Sequence, residues 1–386
     1  MRLAVAQRVG FPSVFDFFGG FKAQTMLGVE INPERIAVAQ LKKQGSGRYR
    51  LAHYHTVEMP EGAMAEGRIL DPNTVGLSLA NLLSEYKVPT NLPVATAVPA
   101  REAIVRLLRL PADLPADELR RVVLEQEAEL YIPYPRDQAD VDYQPLGLDL
   151  SQDGIERIEV LLVAIPKEVV DNYLAVLQAA NLKARCVELA SFSLIRTIRD
   201  QLLQYSPQEA VLLSSIGYDS SEISILVNGI PQFTRTVNIG TVHMRQVLTQ
   251  SLSLPFSRTG ELLRTLRLPL LNPNEVLLGG GQAVSSNPGV AAVARVVTDL
   301  ADELKRSIDF FTSTESNFPV VKVFLAGSGA SIGQVDAFLS QSLGMAVELA
   351  DPFGNILVPD AIEVPLEERP AMGVALGLAM REAGKG

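Results

Sequence analysis

One local pattern occurs twice in this chain, and it limits the choice of fold more than any other feature. Leu27-Gly28-Val29-Glu30-Ile31 reads as a strand, Asn32-Pro33-Glu34 as a turn, and Arg35–Leu41 as a second strand with alternating apolar and polar residues. The same grammar returns as a strand over Ala210–Ile216, a turn at Gly217-Tyr218-Asp219-Ser220 and a strand over Glu222–Val227. Two such hairpins in a 386-residue chain point to an internal duplication, and so to two α/β lobes flanking a cleft.

The segments around the hairpins extend each half. A third strand follows Gly45-Ser46-Gly47, Asp71 caps a helix running to about Tyr86, and 93–98 is a short buried strand. In the second half Asn228-Gly229 turns the chain into a strand over Ile230–Val237. Helices are expected near 240–253, 258–266 and 291–313. A buried strand Val320–Ala326 runs through Gly327-Ser328-Gly329-Ala330 into a helix over about 331–343, and 370–381 closes the chain as a helix rich in Ala, Gly and Leu.

Between these halves, 101–185 reads as a separate small α/β module. It offers a strand at Ala103–Leu110 and a helix opening at Pro115-Ala116-Asp117, with Leu119, Val122, Val123 and Leu130 near one face. Two prolines, Pro133 and Pro135, stop that helix. Strands at 139–146 and 156–165, a helix from Pro166 to about Asn181 and a strand at 183–189 complete it.

Composition excludes several classes. A net charge of −10 argues against a nucleic-acid partner, whose phosphates demand Lys and Arg. No apolar run reaches the roughly 18–20 residues that span a bilayer. Residues 1–25 are apolar and aromatic, but Arg8 and Pro12 interrupt them and no cleavage-like site follows, so they read as an apolar, amphipathic tail, either loose or packed on the body or else touching a membrane or a partner. The single Cys186 has no partner in the chain and reads as a small buried apolar residue. His53 and His55 share one strand face and read as surface histidines, not as a metal site.

Five segments carry a family resemblance. They are Leu27-Gly28-Val29-Glu30-Ile31, Glu127-Ala128-Glu129-Leu130-Tyr131-Ile132-Pro133-Tyr134-Pro135, Glu303–Phe311, Leu325-Ala326-Gly327-Ser328-Gly329 and Ala371–Ala379. In this order they resemble the PilM family, the actin-like, FtsA-related proteins of type IV pilus assembly, over about 26–382. The Glu-Ala-Glu-Leu-Tyr-Ile-Pro-Tyr-Pro segment is the most specific of them.

The resemblance implies an actin-like, ribonuclease H-like two-lobed fold with an inserted 1C-type module. Its parts would be lobe 1A over 26–100, the 1C-like module over 101–185, a return to 1A over 186–206, lobe 2A with 2B (about 240–318) over 207–362, and a C-terminal return to 1A over 363–386. It also implies a nucleotide site at Glu30, Asn32, Ser215, Gly217, Glu303, Arg306, Gly327, Ser328 and Gly329, with ATP and Mg²⁺ as the cofactors at issue.

At that site the sequence departs from the family pattern. Both phosphate loops usually read Asp-Ile-Gly. Here the first reads Glu30-Ile31-Asn32-Pro33-Glu34 and the second Ser215-Ile216-Gly217. The first loop has lost its glycine and gained a proline, which has no N–H to offer a phosphate. Arg35, opening an alternating strand, reads as an exposed charge. A sugar-kinase-type enzyme would need both loops and a base, and neither is legible here.

The expected role is therefore a scaffold without catalytic residues. By resemblance it would sit on the cytoplasmic face of the inner membrane and take the N-terminal peptide of a PilN-like membrane protein. Ile104, Val105, Leu107, Tyr131, Pro133 and Tyr134 would line the partner groove. Pilus motor ATPases and a second copy are further partners the resemblance admits. An ATP-binding switch with little hydrolysis is the alternative.

Overall fold

The computed structural model describes residues 25–45, 47–65, 67–150, 156–270, 287–314, 318–360 and 362–381. The expected tail through residue 24 and the glycine run Gly279-Gly280-Gly281 lie outside the described residues. The chain divides into two units. The first takes in residues up to Lys43, Leu51–Ser193 and those from Ala375 onward; the second takes in Gln44–Arg50 and Leu194–Val374. The divisions fall at 193/194 and 374/375, whereas the sequence reading places them after 206 and 362.

The first unit is built on strands β1 (Leu27–Ile31), β2 (Arg35–Gln44), β3 (Arg48–Glu58), β6 (Val94–Val98) and β10 (Ala184–Leu189), in spatial order β10-β6-β1-β2-β3. A two-stranded ribbon, β4 (Met64–Ala65) with β5 (Arg68–Ile69), follows β3 in the chain. β1 pairs antiparallel to β2 and parallel to β6. Such parallel strands are covered on both faces, so they read as apolar runs rather than alternations. Accordingly all of Val94–Val98 is buried, and the Thr96 hydroxyl is satisfied by donating to the Val29 carbonyl at 2.8 Å.

Helix Pro72–Glu85 begins as its sequence predicts. The Asp71 carboxylate accepts from the Asn73 and Thr74 amides, each at 3.1 Å. Val75, Leu79, Leu82 and Leu83 form its buried stripe, each worth about 1.5–3 kcal/mol of burial. Gly76 lets helix Lys167–Ala179 approach closely, because a Cβ there would lie 2.4 Å from the Ala179 Cβ.

The expected C-terminal helix is shorter than 370–381. A 3₁₀ turn over Leu366–Ala371 precedes a helix over Gly373–Ala379, since Pro370 cannot donate an α-helical hydrogen bond. Its small residues have a packing reason. A Cβ on Gly28 would sit 2.3 Å from the Ala375 carbonyl, and one on Gly377 would sit 1.9 Å from the Ser193 carbonyl. Just beyond, Arg381 makes a buried ion pair with Glu188, which also accepts from the Ser193 hydroxyl at 2.6 Å.

The inserted module is a three-stranded antiparallel sheet with β9 (Glu156–Pro166) between β7 (Ile104–Pro111) and β8 (Ala139–Leu150). One face packs on a helix that is α-helical over Ala116–Arg121, π-helical over Val122–Glu127 and α-helical again over Ala128–Tyr131. The Ala128 amide bonds to the Val123 carbonyl, five residues back. The core stripe therefore steps from Leu119 to Val123 and then to Ala128. Leu130, expected beside Leu119 on the apolar face, is instead 74% exposed. The extra residue in the π turn moves it off the core face.

The second unit repeats the first sheet's topology. Its strands are β11 (Ala210–Ile216), β12 (Ser221–Val227), β13 (Ile230–Val237), β14 (Val320–Ala326) and β15 (Val347–Leu349), ordered β13-β12-β11-β14-β15. β11 pairs antiparallel to β12 and parallel to β14, as β1 does with β2 and β6. The two-residue β16 (Ile356–Leu357) pairs in parallel with Tyr49 and Arg50, the part of β3 that falls in this unit. Helices Thr241–Leu252, Phe256–Thr265 and Pro288–Thr314 close a core that includes Leu212, Ile225, Leu248, Val297, Leu304 and Phe311. The helix expected from residue 331 starts at Val335, because the chain first makes a 3₁₀ turn over Ser328–Ser331.

Candidate functional site

In the first unit the turn between β1 and β2 carries Glu30 and Asn32. The Asn32 amide group donates to the Glu30 carboxylate at 2.9 Å, and its carbonyl oxygen accepts from the Glu34 and Arg35 amides, both at 2.9 Å. The Asn32 backbone amide donates to the Arg35 carbonyl at 3.1 Å. Pro33 has no amide hydrogen. Every backbone N–H from residue 32 to residue 35 is thus engaged within the turn. A phosphate-binding loop needs such groups unspent.

Burial pushes the Glu30 carboxyl above the usual carboxylate range, against the opposing pull of Arg35, Asn32 and the Ala375 backbone. Arg35, expected as an exposed charge, is half-buried, and its positive charge acts on Glu30. The tight Asn32 turn starts β2 with Arg35 close to that carboxyl.

In the second unit the loop keeps its glycine, Gly217, and Ser215 is the penultimate residue of β11. The Gly217 amide donates to the Ser220 carbonyl at 2.9 Å. The Gly217 and Tyr218 carbonyls accept from the Thr241 and Val242 amides at 3.0 and 2.8 Å, so the start of helix Thr241–Leu252 is seated on the turn. A Cβ on Gly240 would come 2.4 Å from the Tyr218 carbonyl oxygen. Gly327 (φ +83°) and Gly329 pack over Ile216, with added Cβ atoms 2.4 Å from its carbonyl oxygen and 2.1 Å from its Cγ2. Ser328 lies between them, half-buried. Ser215, Gly217 and the Gly327–Gly329 loop therefore gather at one end of the parallel pair β11 and β14.

Glu303 and Arg306 lie on helix Pro288–Thr314. Steps of four residues advance about 40° around a helix, so Asp299, Glu303 and Ser307 pass from exposed through half-buried to buried. The Glu303 carboxylate is engaged by both Arg235 and Arg306. Among the described residues no group of three or more His, Cys, Asp or Glu is placed to hold a metal ion.

The six groove candidates do not share one face. Ile104 and Tyr134 pack against the module's own core, as does Ile132. Strand alternation puts Val105 and Leu107 on the opposite side of β7 from Ile104 and Leu108. There they sit across from Val163 and Leu161 of β9. Tyr131 is exposed beneath the Arg106 guanidinium, 5.8 Å from its ring centre, and Pro133 is exposed next to it. Burial, then Asp140, raises the Tyr134 hydroxyl above its usual range.

The family model for type IV pilus assembly protein PilM matches residues 28–383. The chain belongs to the PilM family. A solved PilM–PilN type IV pilus biogenesis complex holds a similar chain, 23% identical, with a TM-score of 0.75 over 92% of this chain and 97% of that one. The ethanolamine utilization protein EutJ from Carboxydothermus hydrogenoformans is 13% identical, with a TM-score of 0.52 over 95% and 93% of the two chains. Both likenesses concern the fold, and that fold is actin-like.

For this PilM-family chain, sequence reading missed Arg235, Gly240, Arg106 and the exposure of Leu130. Arg235 is a charge within a β-strand facing a helix acid, a pairing of distant segments with no local signal. Gly240 stands directly before an amphipathic helix, where an N-cap is expected, and that position could have exposed it. Leu130 was hidden because nothing in the local sequence announces a π turn.

Proposed function

We propose that this chain is a non-catalytic scaffold of a type IV pilus assembly platform, at the cytoplasmic face of the inner membrane. Its inserted module takes an extended N-terminal peptide from a PilN-like membrane partner. The observation that carries this reading is the pair Leu130 and Tyr131. They are exposed at the end of a π-interrupted helix, within the 127–135 segment on which the sequence resemblance leans most. Single-turn π insertions concentrate at functional sites, and an extended peptide binds through backbone pairing with pockets for apolar side chains. Family membership and the named PilM–PilN complex supply the partner's class.

The test is fluorescence anisotropy with a labelled peptide of the partner's cytoplasmic N-terminus. Wild type should bind saturably. Leu130→Asp and Tyr131→Ala should each weaken binding about tenfold or more, with unchanged melting because both residues are exposed. Absence of binding to the folded wild type would sink the reading.

Nucleotide turnover is disfavoured by the engaged amides of the Asn32 turn and by Pro33. The Gly327–Gly329 loop favours the second reading, a nucleotide-binding switch without hydrolysis. Calorimetry with ATP and Mg²⁺ separates the two, and micromolar affinity would overturn the emphasis on a scaffold alone.

A further inference from the structure

His53 and His55 stand two residues apart on β3, on one face of the strand. Their ring nitrogens Nδ1 and Nε2 are 3.3 Å apart. A hydrogen bond between two neutral imidazoles accounts for that contact in the metal-free protein. The same spacing also suits two ligands of one metal ion. Zinc–imidazole bonds of about 2.0–2.1 Å to nitrogens this far apart close at about 110°, the tetrahedral value.

We propose that His53 and His55 form a two-histidine chelate on β3 for a borderline divalent transition metal, with His53 Nδ1 and His55 Nε2 as the donor atoms. Water or an outside ligand completes the shell. Imidazole pairs suit Zn²⁺, Ni²⁺ and Cu²⁺, and not the oxygen-seeking Mg²⁺ or Ca²⁺.

The surroundings support the pair. His55 stacks on Tyr86, ring centres 4.0 Å apart and 15° from parallel, which fixes its orientation. Burial, and then Lys42, hold His53 below the usual imidazole range. Burial, and then His53, lower His55 against the upward pull of Glu85. Neutral imidazole is the form that binds metal. On binding, the proton shared between them moves to the far nitrogen of its own ring, so both rings stay neutral and no proton is released. Lys42 opposes a cation here. Glu85, exposed at the end of the neighbouring helix, favours one.

The chain's composition makes a clean test possible, because it has three histidines and one cysteine. The third, His243, accepts the Gly240 amide hydrogen at its Nδ1, and Cys186 is buried. Calorimetry of the full chain with Zn²⁺ in a non-chelating buffer should show one saturable site. His53→Ala and His55→Ala should each weaken it about tenfold or more, since a lost ligand exceeds the roughly 10–100-fold cost of a lost outer partner at its lower end. His243→Ala should leave it unchanged. Diethyl pyrocarbonate footprinting of wild type gives a readout that needs no variant, and Zn²⁺ should protect two of the three histidines. The proposal fails if wild type shows no saturable uptake at millimolar Zn²⁺, if either alanine variant binds like wild type, or if Zn²⁺ leaves all three histidines reactive.

Discussion

In the turn between β1 and β2, one side chain, Asn32, makes three hydrogen bonds and closes the loop on itself. In the turn between β11 and β12, at the matching place in a sheet of the same topology, backbone contacts to the start of helix Thr241–Leu252 fasten the loop. That turn is held by backbone: Gly217 to Ser220, Thr241 to Gly217, and Val242 to Tyr218, with Gly240 and Gly327 leaving room for the contact. The same position in a duplicated fold has been closed once by filling it and once by emptying it. The first turn should therefore break when atoms are removed, and the second when atoms are added.

The largest effect should come from Gly240→Val. A Cβ there meets the Tyr218 carbonyl oxygen at 2.4 Å and the Ser220 amide at 2.7 Å, both backbone atoms that cannot swing aside. A loss of about 3 kcal/mol is expected, read from chemical unfolding of the second unit. A neutral result would show that the second turn is not held by this contact.

Asn32→Ala should cost less, about 1–2 kcal/mol, because it deletes hydrogen bonds that water can partly replace. Amide exchange at Glu34 and Arg35 should accelerate, while the Gly217 amide stays protected. Equal acceleration in both turns would erase the distinction between them.

Glu30→Gln should have the smallest effect, and one that depends on pH. Burial raises the folded-state carboxyl, so the folded chain binds a proton more readily than the unfolded one, and Glu30 costs stability as pH rises through the carboxylate range. The glutamine variant should melt higher than wild type at pH 7. Below about pH 4, where the acid is protonated in both states, the gain should vanish. A gain that persists at low pH would assign the effect to packing.

Much of this was legible in the residues. The twin hairpins are visible because turn residues and strand alternation are local signals, and the helix at Asp71 announces itself through its cap. The failures came where a contact joins distant segments or where geometry departs from a regular period. Arg35 looked solvated because its neighbours in sequence do not reveal that the Asn32 turn folds it back toward Glu30. Along β7, period-two alternation puts Ile104 on the opposite face from Val105 and Leu107, a division that the mostly apolar run 103–108 does not display. The helix after Gly329 was placed four residues early, because a 3₁₀ turn and an α-helix share the same small, permissive residues.

The π turn at Val122–Glu127 gives the module something like a reading frame. With the extra residue in place, Ala128 and Ile132 face inward while Leu130 and Tyr131 face out. Deleting a single residue between Val123 and Ala128 would restore the α-helical count and turn Leu130 back toward the core. Such a deletion would leave composition, charge and strand content almost untouched. Within a family of similar chains, a gap of one position in this helix would mark members that present a different surface.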